Sequence, residues 1–454
     1  MRYASTRGEA AELGFADVLL EGLARDGGLF VPSSIPVLAD PAPHASYQRL
    51  ATEVIAPYVE GDGGVADLST HVEAAYEFFD DPDDVVPLVE LGGGRWVQEL
   101  FHGPTLAFKD LALQLVGRLM DAELRRRGER RTIVVATSGD TGSAAIEACV
   151  GRDSLDIVVL HPAGRVSDVQ RRQMTTVAAP NVRNVAVEGT FDDCQDLVKD
   201  LFADEAFRDE VHLGAMNSIN WGRVVAQIPY YVQAAARLGP VDVVVPSGNF
   251  GNILAGWYAR KAGAEIERLV VASNRNDILA RWVHRGELVA EVVEPSLSPS
   301  MDIQVSSNHE RLVYELLGRD GGRTADLFRR FRSVGSVEVP RATEFLAGTA
   351  SDDDTLAEIR RSSSDDGYLA DPHTAVGLHV ARRLGLGTER PVVCMATAHP
   401  AKFPDAVEQA TGTRPALPER LADLFDREER CDVLPADLDA VRGYVRDAFE
   451  QPAG

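Results

Sequence analysis

Apolar positions along the chain change their period once, near residue 87. Before it, over residues 15–23, 47–58 and 71–79, they recur at helical spacing. The run at residues 29–31 follows Asp26-Gly27-Gly28, is ended by Pro32, and reads as a short strand entered from a turn. Residues 1–85 are therefore expected to form a mainly helical N-terminal extension. The acidic run at residues 80–84 reads as a solvated linker. From Pro87 strands and helices alternate. Strand-like runs stand at residues 96–100, 132–136, 155–160, 181–187, 241–245, 269–272 and 392–396. Thr132-Ile133-Val134-Val135-Ala136 is continuous and β-branched, as a strand buried on both faces requires. Helices are expected at residues 140–150, 166–178, 194–201, 252–261, and from near Trp221 to Leu238. The alternation predicts an α/β fold with two open, mostly parallel sheets covered by helices. The expected units are 86–225 and 226–454, after the extension. Residues 294–367 are polar and irregular; Asp352-Asp353-Asp354 and residues 362–366 read as loop.

Composition narrows the function. The 454 residues, 45% hydrophobic and 26% charged, can build a large core. The formal charge of -24 argues against nucleic acid and anionic membranes as partners. An anionic substrate would then need a local pocket rich in positive charge or N–H groups. Cys149, Cys194, Cys394 and Cys431 are widely spaced, which disfavours a disulfide framework and a zinc site. No metal-ligand spacing occurs among the histidines. The start of the chain has no apolar signal region and no run is long enough to span a bilayer, so a cytoplasmic location is expected.

The chemistry centres on Phe101-His102-Gly103-Pro104-Thr105-Leu106-Ala107-Phe108-Lys109-Asp110. Thr105 is placed to cap the helix that follows, and Lys109 falls in its first turn. A cation is disfavoured there by the helix dipole. A desolvated lysine near positive potential has a lowered pKa and becomes a usable amine nucleophile or base. The chain has only four lysines, Lys109, Lys199, Lys261 and Lys402. The alternative for Lys109 is an ordinary ion pair with Asp110 or a neighbour.

Five further stretches follow strands or open helices. Thr137-Ser138-Gly139-Asp140-Thr141-Gly142-Ser143 stands where N–H groups and the helix dipole create an anion site, or where a capped tight turn would also stand. Pro246-Ser247-Gly248-Asn249-Phe250-Gly251-Asn252 has the same context and can fold its N–H groups around a phosphate. It lacks both the Walker lysine and the dinucleotide glycine spacing. Asn217-Ser218-Ile219-Asn220-Trp221-Gly222-Arg223 gathers amides, a hydroxyl and a guanidinium suited to phosphate or carboxylate. For Arg223 alone, a surface or interdomain ion pair is the alternative. Thr397, in Ala396-Thr397-Ala398-His399-Pro400-Ala401-Lys402-Phe403, could offer a hydroxyl at the sheet's carboxyl edge. Asp371-Pro372-His373-Thr374-Ala375 reads as a helix start.

In this order, these motifs resemble the threonine synthase family, in its longer form with an N-terminal extension that begins like YASTRG and DGGLFVP. The resemblance runs over nearly the whole chain; residues 300–365 have no clear match. It implies a fold type II pyridoxal phosphate enzyme acting on O-phospho-L-homoserine, as a monomer or homodimer. Lys109 would bind the cofactor covalently and act as the catalytic base. Gly248, Asn249, Phe250, Gly251 and Asn252 would cradle the cofactor phosphate, and Thr397 would meet the pyridine nitrogen. Asp140 would lie near the ring hydroxyl. Ser138, Thr141, Asn217, Ser218 and Arg223 would hold the substrate phosphate. The implied reaction eliminates phosphate from Cγ, hydrates Cβ and gives L-threonine. The same motifs would also serve a phospho-lyase releasing 2-oxobutyrate, or a non-catalytic pyridoxal-phosphate-binding protein.

Overall fold

The computed structural model describes residues 1–39, 45–61 and 63–449. The N-terminal unit opens with a strand the apolar pattern does not reveal. Arg2–Ser5 pairs antiparallel with Leu13–Gly14 and with Phe30–Pro32. Helices Phe15–Glu21, Tyr47–Val59 and Leu68–Tyr76 follow. The unit is fastened to the rest of the molecule through aromatic side chains. The Tyr3 hydroxyl donates to the Tyr58 carbonyl at 2.7 Å and accepts from Trp221 Nε1 at 3.1 Å. Trp221 is fully buried and begins the short helix Trp221–Val225 that carries Arg223. The helix expected to continue to Leu238 is interrupted and restarts at Ile228, with Pro229 in its first turn. That is a position where proline loses no hydrogen bond.

The larger sheet has six strands in the order Phe345–Thr349, Ile266–Ser273, Val241–Pro246, Val392–Ala396, Arg95–Glu99, Leu88–Gly92. All neighbours are parallel except the last pair. The smaller sheet has five parallel strands, Asp432–Pro435, Val182–Glu188, Leu155–Pro162, Arg131–Ala136 and Leu213–Gly214. The sheets cut across the expected units. The hairpin Leu88–Gly92/Arg95–Glu99 joins the sheet of the later block, and Asp432–Pro435 returns to the earlier one. Val433 in that returning strand is 62% exposed, so no apolar run marks it.

Residues 294–367 are more regular than their composition suggests. They contain helices His309–Leu316 and Gly321–Val334 and the strand Phe345–Thr349. The acidic stretch expected as loop is the first turn of the helix Asp352–Asp365. Ser351 and Asp354 form a reciprocal capping box, and three aspartates sit where the helix dipole favours anions. The run at residues 80–84 is likewise not simply solvated: Asp80 pairs with His102 and Arg420, and Asp84 with Arg237. No helix of the described residues is long and apolar enough to cross a membrane.

Candidate active site

Lys109 is the first residue of the helix Lys109–Arg127. The turn before it, residues 103–108, sets its direction. Leu106 adopts φ +63°, and a Cβ on Gly103 would meet the Asp110 side chain at 2.5 Å. The capping role expected of Thr105 is not made: Phe108 stands at the cap without a side-chain bond. Thr105 instead donates its N–H and its hydroxyl to the Asp110 carboxylate, each at 2.7 Å. An acid in the first turn reaches back to the preceding loop more easily than a threonine four residues upstream reaches forward. Asp110 is thereby committed to Thr105 and does not pair with Lys109.

The segment after the strand Val392–Ala396 grips the same turn. Phe108 N–H donates to the Thr397 carbonyl at 2.9 Å, and His399 N–H to the Leu106 carbonyl at 3.0 Å. Lys402, completely buried, donates Nζ to the Thr105 carbonyl at 2.7 Å.

Lys109 Nζ lies 3.3 Å from Asp140 Oδ2 and 3.5 Å from Ser300 Oγ. Asp140 Oδ1 meets Lys402 Nζ at 2.9 Å and Gln170 Nε2 at 2.8 Å. One buried carboxylate thus faces two ammonium groups. Burial lowers the pKa of Lys109; Asp140 pulls it back up, while Lys402 and Arg223 push it further down. Burial would raise the pKa of Asp140, but Lys109, Lys402 and the Gln170 hydrogen bond hold it well below the usual carboxylate range. The net effect is a fixed anion and an amine that releases its proton more readily than a free lysine.

Two loops at the carboxyl ends of their strands open toward this cluster. After Arg131–Ala136, Thr137 Oγ1 accepts the N–H groups of Gly139 and Gly142, each at 2.9 Å. Gly139 adopts φ +139°, which leaves no room for another residue type. Ser138 and Thr141 are half-buried on either side of Asp140. After Val241–Pro246, Phe250 adopts φ +64° at the cap of the helix Gly251–Lys261. The Gly248 carbonyl accepts from Ser306 Oγ at 2.8 Å, and the Asn249 carbonyl from Asn308 N–H at 3.0 Å. Asn249 Oδ1 accepts from Ser307 Oγ at 3.1 Å. The loop's oxygens are therefore tied down from behind, and its N–H groups crowd the start of a helix, as a phosphate cradle requires. Asn252 Oδ1 accepts from the Tyr230 and Tyr231 hydroxyls, at 2.6 and 2.7 Å. Its buried Nδ2 has no partner among the described residues.

Arg223 is buried, and its Nε and Nη1 have no partner among the described residues. Burial pushes its guanidinium down to about 10. No acid among the described residues pairs with it, so the ion-pair alternative does not hold there. A buried cation without a counter-ion is costly, and an anionic ligand would satisfy it. Ser218 Oγ lies 3.2 Å from Ser307 Oγ, which connects the Asn217–Arg223 stretch to the Asn249 loop. Asn217 is exposed and accepts the Ile219 N–H at 3.2 Å.

Lys402, Gln170 and Ser300 belong to the cluster but do not stand out as site residues in the sequence. Lys402 had a usable signal, since it is one of four lysines and follows a buried strand. Ser300 had none. It is positioned by His373, whose Nε2 accepts the Ser300 N–H at 3.3 Å and whose Nδ1 lies 2.8 Å from Asp371.

This donor set fits a phosphorylated aldehyde cofactor such as pyridoxal phosphate. It offers a buried amine of lowered pKa, an N–H-lined loop, and, in Arg223, an unpaired guanidinium for a second anion. Comparison with known proteins agrees. Residues 85–398 match the family model described as pyridoxal-phosphate dependent enzyme. Residues 2–76 match that of the threonine synthase N terminus, and residues 374–445 that of threonine synthase, C-terminal. The chain is 52% identical to the threonine synthase of Pseudomonas aeruginosa, over 98% of each chain. A crystal structure of pyridoxal-phosphate-bound threonine synthase from Brucella melitensis superposes with a TM-score of 0.95 at 48% identity, covering 99% of this chain and 100% of that one. The yeast threonine synthase structure gives 0.92 at 36% identity, covering 99% and 98%.

Proposed function

The chain belongs to the threonine synthase family, and from that premise we propose that it converts O-phospho-L-homoserine and water to L-threonine and phosphate in the cytoplasm. It is a pyridoxal-phosphate-dependent lyase, and the observation that carries the substrate assignment is the buried, unpaired Arg223. A substrate without phosphate would leave that charge uncompensated.

Lys109 would hold the cofactor's aldehyde, and the same amine is placed to move protons at the substrate. When bound, pyridoxal phosphate would supply the electron sink for negative charge at the amine-bearing carbon and at the carbon beside it. Lys109 takes the Cα proton as a general base, for which its lowered pKa suits it. Asp140 fixes the amine's position through the 3.3 Å contact. Lys402 neutralises part of the Asp140 charge, so that this carboxylate does not lock Lys109 as an ammonium. The N–H groups of Gly248, Asn249, Phe250, Gly251 and Asn252 would receive the cofactor phosphate. Thr397 would offer a neutral hydroxyl to the ring nitrogen. Arg223, with Ser138, Thr141, Asn217 and Ser218, holds the substrate phosphate and orients it for departure from Cγ. Burial of Lys109, Asp140 and Arg223 excludes bulk water, which strengthens each of these contacts.

Product identification by NMR tests this reading, with O-phospho-L-homoserine, pyridoxal phosphate and either the wild type or Lys109→Ala. Threonine plus phosphate, lost in the variant, is the expected result. 2-Oxobutyrate in place of threonine would make the protein a phospho-lyase. A normal cofactor spectrum without turnover would make it a binding protein.

A further inference from the structure

A cavity lies behind the Gly248–Asn252 loop, and none of the residues assigned above to cofactor or catalysis lines it. Its volume is about 220 Å³. About 150 Å³ is enough to hold benzene, so a compact organic molecule fits. The walls are aliphatic and aromatic, with Leu29, Ile278, Leu288, Phe328 and Phe331 among them. Charge is confined to one group. Arg7 donates to both Glu310 oxygens, at 3.2 and 3.3 Å, and Arg332 lies 3.7 Å from Glu310 Oε2. Two guanidiniums against one carboxylate leave one net positive charge at an otherwise uncharged cavity. His309 also lines it, completely buried, and neither of its ring nitrogens has a partner among the described residues. Burial holds that imidazole neutral, its pKa pushed down to about 3.

We propose that this cavity is a regulatory site for a small monocarboxylate with a branched aliphatic chain. The carboxylate would sit on the Arg7/Arg332 pair, the chain against Leu288 and Phe328, and His309 would gain a polar partner. The proposal goes beyond the reaction itself, because the cavity wall is also the support of the active-site loops. Ser306 and Ser307 line the cavity and hold the Gly248 carbonyl and Asn249 Oδ1. Ser307 also meets Ser218. His309 packs edge-on against Phe250, with ring centroids 5.2 Å apart. A ligand that shifts Ser306 or His309 therefore shifts the cofactor loop, and one that shifts Ser307 shifts both that loop and the phosphate-binding stretch. The N-terminal residues YASTRG and DGGLFVP, which the reaction does not use, supply Arg7, Gly27 and Leu29 to the cavity.

The test is calorimetric titration of the holoenzyme with L-leucine, with 4-methyl-2-oxopentanoate, and with isopentylamine as a probe lacking the carboxylate. The expected result is one saturable site for at least one carboxylate and none for the amine. Binding should weaken at least tenfold in Arg332→Gln and in Leu288→Phe, and it should change KM for O-phospho-L-homoserine. Arg332 is 56% exposed, so its variant keeps the fold even if the cavity-filling one does not. L-leucine alone binding would mean that Glu310 also receives the ammonium; both binding would mean that carboxylate and chain suffice. No binding by either up to about 10 mM would overturn the proposal. So would binding indifferent to Arg332→Gln, or binding that simply competes with substrate.

Discussion

Arg223 separates a binding role from a structural one at a single position. A structural arginine has an acid beside it, and its loss destabilises the fold; a buried arginine kept for an anion strains the ligand-free protein. Arg223→Gln is expected to lower kcat/KM for O-phospho-L-homoserine by roughly 10²-fold or more, the scale of losing charge-assisted hydrogen bonds. The same variant should melt no earlier than the wild type without ligand, a comparison that calorimetry makes directly. A large loss of Tm would assign Arg223 to the core instead. At this scale the sequence was informative where a motif has a fixed local geometry. Gly139, Gly248 and Phe250 stand where strand-to-helix turns need them, and Lys109 begins its helix. It was silent where the contact is long-range. Asp140 meets Lys402 and Ser300 across 262 and 160 positions, and no spacing rule encodes such a meeting.

Among the elements, the turn at residues 103–108 is held from outside by three others. Gln173, on the helix Asp168–Thr175, donates to the Thr105 carbonyl at 3.1 Å, beside Lys402. Arg420 donates to the Gly103 carbonyl at 2.7 Å and pairs with Asp80. His102 completes this clamp, its ring nitrogens 2.8 Å from Glu99 and 3.0 Å from Asp80. Burial opposes the imidazolium, but hydrogen bonds to Glu99 and Asp80 outweigh it and raise the pKa. A raised folded-state value means the pairing stabilises fully below the unfolded value of about 6.5 and fades as pH rises through the folded one. The Tm gap between wild type and His102→Gln should therefore be largest near pH 6 and shrink toward pH 9, with about 1 kcal/mol or less at stake for pairs this exposed. A gap that grows with pH would contradict the assignment. Element types were legible where apolar periodicity was strong. The helix Asp352–Asp365 carries no such period at its start, because its first turn is all aspartate, although Ser351 followed by Asp354 is a capping signal.

Across the whole molecule, chain order and spatial order diverge. Strand Asp432–Pro435 and helix Leu438–Asp447 return to the smaller sheet after the larger one is complete. Val441 and Val445 cover Val185, Val187, Leu197 and Leu201 in one buried cluster. A chain ending at residue 430 should uncover that surface and the Val182–Glu188 edge, and should elute from a sizing column as aggregate. Elution as the full-length protein does would show the return segment to be dispensable. The α/β class and the parallel cores of both sheets were readable from buried β-branched runs. The crossing of the two blocks was not, because an exposed edge strand carries no apolar run. The measurement that bears most directly on the reaction is turnover of O-phospho-L-homoserine in ¹⁸O-labelled water, read by mass spectrometry. Elimination at Cγ followed by hydration at Cβ predicts one label in the threonine hydroxyl and none in the phosphate released at first turnover. Label in the phosphate, with homoserine as the other product, would mean that the phosphorus–oxygen bond breaks, and would contradict the account.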